Sequence, residues 1–411
     1  MKITIPNNFF YQFIFFLCIA IPYLDHFELT IITWTIGVLV TVSKSYSTAI
    51  LKITIPFFIV FFIALFVMFF HNYEKYYIIR DVTYLFKPII GFFIGYQICK
   101  RNLQNGFKLL INTALLIAIA HIAVVVFAFV VYRISTVNEI REYGGYFSDY
   151  EVYLLAILIF YKKFQLDYTK KQIQIFIGII GFSVFLYLAR TNFLQLLILI
   201  LALKGYFRIT KTSIKVIMSV VLLTIIGYSA VLYINPKRNG EGVEAFLYKI
   251  KVAPSETFKT KIKRDDYKDF NDHYRAYENI MTIRQVSKGG VFDVMFGKGL
   301  GSRIDLRQKV YLGDMELRYI SILHNGFMIV FLKSGLLGLF IFFYTIYYFF
   351  RKIKSTNEII TNLNLLFVGT GVFLILSNWV FLGFYNLIDT KTILLGFLIC
   401  YREKLIEINK I

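Results

Sequence analysis

The chain has 411 residues, of which 58% are hydrophobic, 18% aromatic and 17% charged, and its formal charge is +20. Apolar residues at that level, gathered in runs of about twenty, exclude a water-soluble globular domain and predict an all-α, polytopic transmembrane bundle. The basic excess is not the footprint of a nucleic-acid partner, because it is sorted by loop.

The first apolar run, 9–24, follows a single lysine and precedes no small-residue cleavage site, so it reads as a retained helix. Further runs at 27–43, 53–70, 76–98, 107–132, 147–161, 173–189, 192–207, 214–234, 323–350, 361–382 and 386–401 give about twelve spans. Short loops then alternate. One set carries Lys44, Lys52, Lys100, Arg101, Lys108, Lys162, Lys163, Lys170 and Lys171, continuing to Arg351, Lys352 and Lys354. The other holds only Lys75, Arg133 and Arg141. The positive-inside rule assigns the first set and both termini to the cytoplasm. Three regions follow: 1–234 with nine spans, 235–322 as one large outer loop, and 323–411 with the last three spans. The bilayer is the first partner this implies. Cys18, Cys99 and Cys400 lie in or beside apolar runs, and no Cys/His spacing suits a metal site.

The fourth span carries Arg80, Asp81 and Lys87 within apolar surroundings. Arg80, Tyr84, Lys87 and Gly91 share a helical face, which must look into the bundle or a wet cavity. An Arg80–Asp81 surface pair with a snorkelling Lys87 is the other reading. His121 lies within the fifth span without patterned partners, as a functional candidate or a packed histidine. The loop 132–150, with Arg141 and the turn Gly144–Gly145–Tyr146, reads as a short structured cap or as an ordinary loop, and the sequence alone favours the loop. Only Arg190–Thr191–Asn192 separates the seventh and eighth spans, which holds Arg190 at the outer surface, where its planar fork suits phosphate.

In the outer loop, 236–272 mixes lysines and acids with few aliphatics and is expected to be irregular. Tyr274, Tyr277, Ile280, Met281 and Ile283 then approximate a 3.6 period, predicting an amphipathic helix over 272–288 that carries His273, Arg275 and Arg284. Gly297, Gly299 and Gly301 follow, with no strand before them and no P-loop lysine, so nucleotide binding is rejected. The tenth span opens polar at His324–Asn325 and continues as one helix to the cluster at Arg351. Gly335 and Gly338 fall on the face of His324, offering a smooth surface to another helix.

His324–Asn325, nine intervening residues, then Gly335–Leu336–Leu337–Gly338 resemble the end of the O-antigen ligase and polymerase family of bacterial inner-membrane glycosyltransferases. That family's ligase motif is His, then Asn, Ser or Gln, nine residues, then Gly-x-x-Gly. Arg190 stands where members have a serine-arginine pair, with Ala189 here replacing the serine. Arg275 opens the loop helix as an arginine does in many members, and 296–302 is similar to their Gly-x-Gly stretch. The resemblance covers about 180–345.

It implies a metal-independent enzyme whose donor is a glycan on undecaprenyl pyrophosphate at the periplasmic face. The acceptor is a sugar hydroxyl on another lipid-linked repeat (polymerase) or on lipid A-core (ligase). The resemblance assigns His324 as base and Arg190 and Arg275 to the leaving pyrophosphate. Arg80, Lys87, Arg141, Arg284 and Asn325 are candidate substrate contacts. No cofactor is implied, and a chain-length regulator is an expected partner. The Phe/Tyr/Ile/Lys bias suits AT-rich polysaccharide gene clusters and favours polymerase over ligase. A flippase for lipid-linked sugars would share the intramembrane cations, but the two halves show no internal repeat.

Overall fold

The computed structural model describes residues 7–101, 106–134, 136–240, 242–312, 315–386 and 388–408. In chain order the helices before the loop are α1 (Asn7–Ala20), α2 (Phe27–Thr41), α3 (Thr48–Met68), α4 (Lys75–Arg101), α5 (Gly106–Tyr132), α6 (Val137–Gly144), α7 (Asp149–Ile159), α8 (Lys170–Leu186), α9 (Arg190–Leu203) and α10 (Lys211–Ile234). The loop holds α11 (Val243–Phe258), α12 (Tyr267–Asp272), α13 (Tyr274–Lys288), α14 (Gly290–Phe296) and the strands β1 (Ile304–Leu312) and β2 (Met315–Ile320). Then come α15 (Gly326–Tyr348), α16 (Glu358–Val380) and α17 (Lys391–Ile408).

A helix stands at every predicted apolar run. Six of them, α3, α4, α5, α10, α15 and α16, are long and apolar enough to cross a membrane. The remaining six, α1, α2, α7, α8, α9 and α17, have 11–18 residues. Polar residues mark several starts. Ser47 accepts from the Ile50 N–H, and Thr169 and Gln172 form a capping box that begins α8.

The tenth span is not one smooth helix. At Gly335 the backbone takes φ +64 and ψ −162, and α15 breaks there. Only glycine occupies that region without strain. A break leaves carbonyls without their helical donors, and the glycine-rich strip supplies two. Lys298 N–H donates to the Leu332 carbonyl at 2.7 Å and Gly299 N–H to that of Lys333 at 3.1 Å. Leu300 N–H then reaches the Ala64 carbonyl in α3, and Gly301 N–H reaches Asp81 Oδ2 in α4 at 2.6 Å. The approach is so close that a Cβ on Gly297 would lie 2.5 Å from the Ser334 nitrogen. So the glycines at 297 and 335 serve backbone-to-backbone contact between loop and helix.

Asp81 therefore does not pair with Arg80 at the surface. Its carboxylate is buried and accepts from Lys333 Nζ at 2.6 Å, while the same ammonium donates to the Ser302 carbonyl at 2.6 Å. Lys87 does not snorkel. It is fully buried and donates to the Asn386 and Asp389 carbonyls at 2.5 and 2.7 Å. Beside it Lys391 Nζ meets Asp149 at 2.8 Å and Asp389 at 2.7 Å.

The loop is more regular than its composition predicts. Within 236–272 lie α11 and α12, and α11 places Ala245, Lys249, Ala253 and Glu256 on one face at helical spacing. Charged residues on that face mask the period. The amphipathic helix begins at Tyr274 rather than 272, and packs Tyr274, Tyr277, Met281 and Val286 against Ile304, Leu306 and Val310 of β1. That antiparallel hairpin was not expected in an all-α chain. It shields one side of α13.

Asp81→Ala leaves the Lys333 ammonium buried without its counter-charge, and Lys333→Met strands the carboxylate. Either single change is expected to cost on the order of 3–5 kcal/mol. Thermal unfolding in detergent should show the double variant less destabilised than the sum of the singles; strict additivity would mean the groups do not form a pair.

Candidate active site

Leu188 takes a left-handed conformation (φ +48) and Ala189 is extended, so the chain turns sharply and α9 starts at Arg190 itself. The guanidinium opens onto a cavity of about 440 Å³ bounded by α6, α9, α11, α13 and α16. Arg141, Lys249 and Arg275 line the same space, and among the described residues Glu256 is the one carboxylate that lines it. Arg190 Nη1 donates to the Lys249 carbonyl at 2.6 Å, and its Nη2 lies 3.7 Å from Glu256 Oε2. Arg275 Nη1 lies 3.2 Å from Glu256 Oε1 and donates to the Val380 carbonyl at 3.0 Å. Glu256 thus bridges two of the three arginines. Arg141 packs over the Tyr146 ring at 5.3 Å.

Crowding of like charge leaves a mark on these groups. Burial lowers the pKa of Arg141, and Arg190 and Arg275 push it the same way. The Lys249 ammonium is lowered by burial first, then by Arg141 and Arg190. Below the charged rim the wall is apolar. Phe373, Leu376 and Val380 form a stripe on α16, facing Leu194 on α9 and Phe246 on α11. A doubly charged or larger anion attached to an apolar chain matches this division.

His324 sits beside the cavity and is not among its lining residues. Its Nδ1 lies 3.0–3.1 Å from both Glu278 carboxylate oxygens, and its backbone N–H donates to Glu278 Oε2 at 3.0 Å. Glu278 is buried, whereas the His324 side chain keeps 40% of its surface exposed. The Tyr274 ring meets the imidazole edge-on at 5.9 Å. Burial and Glu278 push the Tyr274 hydroxyl up, so it remains a protonated donor. A carboxylate on Nδ1 leaves Nε2 as the nitrogen available to a substrate. The two half-sites are joined through one helix and one turn. Arg275 and Glu278 are three residues apart on α13. Arg275 holds the Val380 carbonyl, and Gly326, two residues after His324, donates to the Phe381 carbonyl.

Of the residues singled out in the sequence, Arg141, Arg190 and Arg275 meet in the cavity, with His324 alongside. Asn325 caps α15, its Oδ1 accepting from the Met328 N–H, and its Nδ2 is buried. Arg284 points to the other side of α13, into a basic groove with Lys259, Lys261 and Arg264. Arg80 and Lys87 line neither space; Lys87 is sealed in the bundle. His121 is packed, stacked on Tyr187 with Nδ1 2.8 Å from Ser183 Oγ. His273 spends Nδ1 on Asp269 and Nε2 on Ser255. Sequence reasoning missed Glu278, Glu256 and Lys249. Glu278 carried a signal: an acid on the buried side of α13 beside Tyr274 requires a partner. Glu256 and Lys249 carried none, because the register of α11 was hidden. Among the described residues no group of three or more His, Cys, Asp or Glu stands close enough to hold a metal ion.

Comparison of the chain with protein-family models, with curated proteins and with solved structures finds no match to any of them.

The cavity is expected to bind inorganic pyrophosphate, measured by calorimetry or by a rise in unfolding temperature in detergent. Arg190→Ala or Arg275→Ala should weaken binding at least tenfold, about 1.4 kcal/mol, and Glu256→Gln should tighten it. Because the Lys249 pKa is lowered, its charge is lost before that of an ordinary lysine as pH rises. Binding should therefore weaken on the alkaline side, and Lys249→Arg should abolish that decline.

Proposed function

We propose that this chain is a glycosyltransferase that joins lipid-linked oligosaccharide repeats, a polysaccharide polymerase using a polyprenyl-pyrophosphate donor at the periplasmic membrane face. The observation that supports it most is the convergence of Arg141, Arg190, Lys249 and Arg275 above an apolar wall, with a carboxylate-held histidine on the neighbouring turn. The resemblance of 324–338 to the O-antigen ligase and polymerase family names the substrate class; the cavity is the right kind of place for it.

The chemistry follows from those groups. The donor's pyrophosphate lies among the cations, displacing Glu256 from Arg190 and Arg275. His324 Nε2 accepts the proton of the acceptor hydroxyl. The acceptor oxygen forms a bond to the anomeric carbon as the bond from that carbon to the phosphate oxygen breaks. The pyrophosphate leaves with the electron pair, and its added negative charge is held by the guanidinium groups. Glu278 fixes the ring and balances the imidazolium that forms, so it is a positioning residue. The polyprenyl tail runs along Leu376 and Phe373.

Transfer to lipid A-core, the ligase reading, uses the same donor site with a different acceptor, and the His-Asn-x9-Gly-x-x-Gly pattern favours it. A gel of lipopolysaccharide from cells lacking this gene separates the two. Core with one repeat and no ladder means polymerase; core alone with long chains on the lipid carrier means ligase; an unchanged ladder and lipid-linked pool would sink both.

In complemented cells or reconstituted protein, His324→Ala should lower turnover by about 10²–10⁴-fold. Arg190→Ala and Arg275→Ala should lower it by at least about 10². Glu278→Gln should reduce kcat while leaving pyrophosphate binding intact, which distinguishes positioning from collapse of the site. Normal polymer from a correctly inserted His324→Ala variant would remove histidine as the base.

A further inference from the structure

Away from the site, the loop helix α14 is built inside out. Its one acid, Asp293, is turned inward to an ion pair with Lys298 at 2.7 Å, while Val291, Phe292 and Met295 are 80%, 44% and 40% exposed. At ~100° per residue these three apolar side chains cover a single face. A helix bathed in water on that face would carry the opposite arrangement.

The exposed face is continuous with another. The Phe292 ring lies 5.9 Å from Phe70, and Phe70 lies 5.2 Å from Phe66. Phe66 ends an outward stripe on α3 formed by Ile55, Ile59, Phe62 and Phe66, at spacings that place all four on one helical face. That helix is long and apolar enough to cross a membrane. Its exposed surface therefore runs upward, through Phe69 and Phe70, onto α14 without leaving apolar residues. The helix is also held in place, because Gly297 at its end abuts the backbone of Lys333–Gly335. The burial of α15 marks the same level. Residues 326–335 are buried throughout, and exposed apolar side chains begin at Leu336, one residue beyond that contact.

We propose that α14 lies in the membrane-water boundary on the loop side, with its Val291–Phe292–Met295 face among the acyl chains. The lipid surface is the partner of this loop. The inference rests on α3 crossing the membrane and is independent of the enzyme's substrate. It has a consequence for the site. α14 is joined directly to α13, which carries Arg275 and Glu278, so those residues are referenced to the lipid surface. The nine residues from Gly326 to Ser334 lift His324 by up to roughly 13 Å above that level, at ~1.5 Å per residue. Proton transfer would then take place at headgroup height, outside the hydrocarbon.

The three native cysteines are buried, so an introduced cysteine is the one a dye labels. The full-length chain carrying Val291→Cys or Phe292→Cys is labelled with a nitrobenzoxadiazole dye and reconstituted in phosphatidylcholine–phosphatidylglycerol vesicles. Phe62→Cys serves as the lipid control and Lys261→Cys as the aqueous one, in protein that keeps the wild-type unfolding temperature. The labels at 291 and 292 are expected to emit at shorter wavelength than that at 261, and to be quenched by spin-labelled lipid rather than by aqueous iodide. If they behave like position 261 while position 62 is quenched from lipid, the α14 proposal is overturned and the membrane reading stands. If position 62 is quenched by iodide too, the crossing by α3 fails and the proposal fails with it.

Discussion

An ammonium group with no access to water must be met by opposite charge and by lone pairs, and Lys333 sets that requirement in the middle of the fold. Its partners are Asp81 on α4 and the Ser302 carbonyl at the end of the glycine strip. Both can reach it only if α4, α15 and the strip come together at one point. The break at Gly335 makes room, and the strip's N–H groups replace the helical donors lost there. The buried charge thereby fastens the large loop to the bundle. α14 and α13 extend from that fastening, so the placement of Arg275 and Glu278 is inherited from it.

Two other gatherings of charge among the described residues are of opposite kinds. Lys87 and Lys391 face Asp149 and Asp389, two cations against two anions, with the remaining donors taken by carbonyls of the segment before α17. Charge is balanced and enclosed, which is how a bundle keeps ionisable groups away from lipid. Around the cavity, Arg141, Arg190, Lys249 and Arg275 converge, with Glu256 between Arg190 and Arg275. Repulsion among like charges brought this close is a cost. An anionic ligand removes it, which is the physical case for a binding site. Glu256 stands between Arg190 and Arg275 as a partial substitute for that ligand.

The histidine is arranged differently. It receives a buried carboxylate at one nitrogen, while its side chain stays 40% exposed. A purely structural histidine in this chain looks otherwise: His273 has both nitrogens engaged, and His121 is stacked on a tyrosine within the bundle. Half-exposure, one oriented nitrogen and adjacency to a cation cluster occur together at His324.

The sequence alone determined the helices at the apolar runs, their approximate ends, the membrane class and the periodicity of α13, because apolar length and the 3.6-residue repeat of burial are local features. It also marked Arg190, Arg275 and His324 through short patterns. Only the tertiary structure decided what the charges do. Asp81 reads as the neighbour of Arg80, yet its partner lies 252 residues away. Lys87 and Arg190 look alike as cations near apolar runs, and one is sealed while the other opens on a cavity. The hairpin over α13 and the pairing of Glu278 with His324 were decided in the tertiary structure for the same reason. Pairing of charges and approach of backbones are long-range events, set by which helices meet, and no local period along the chain records them.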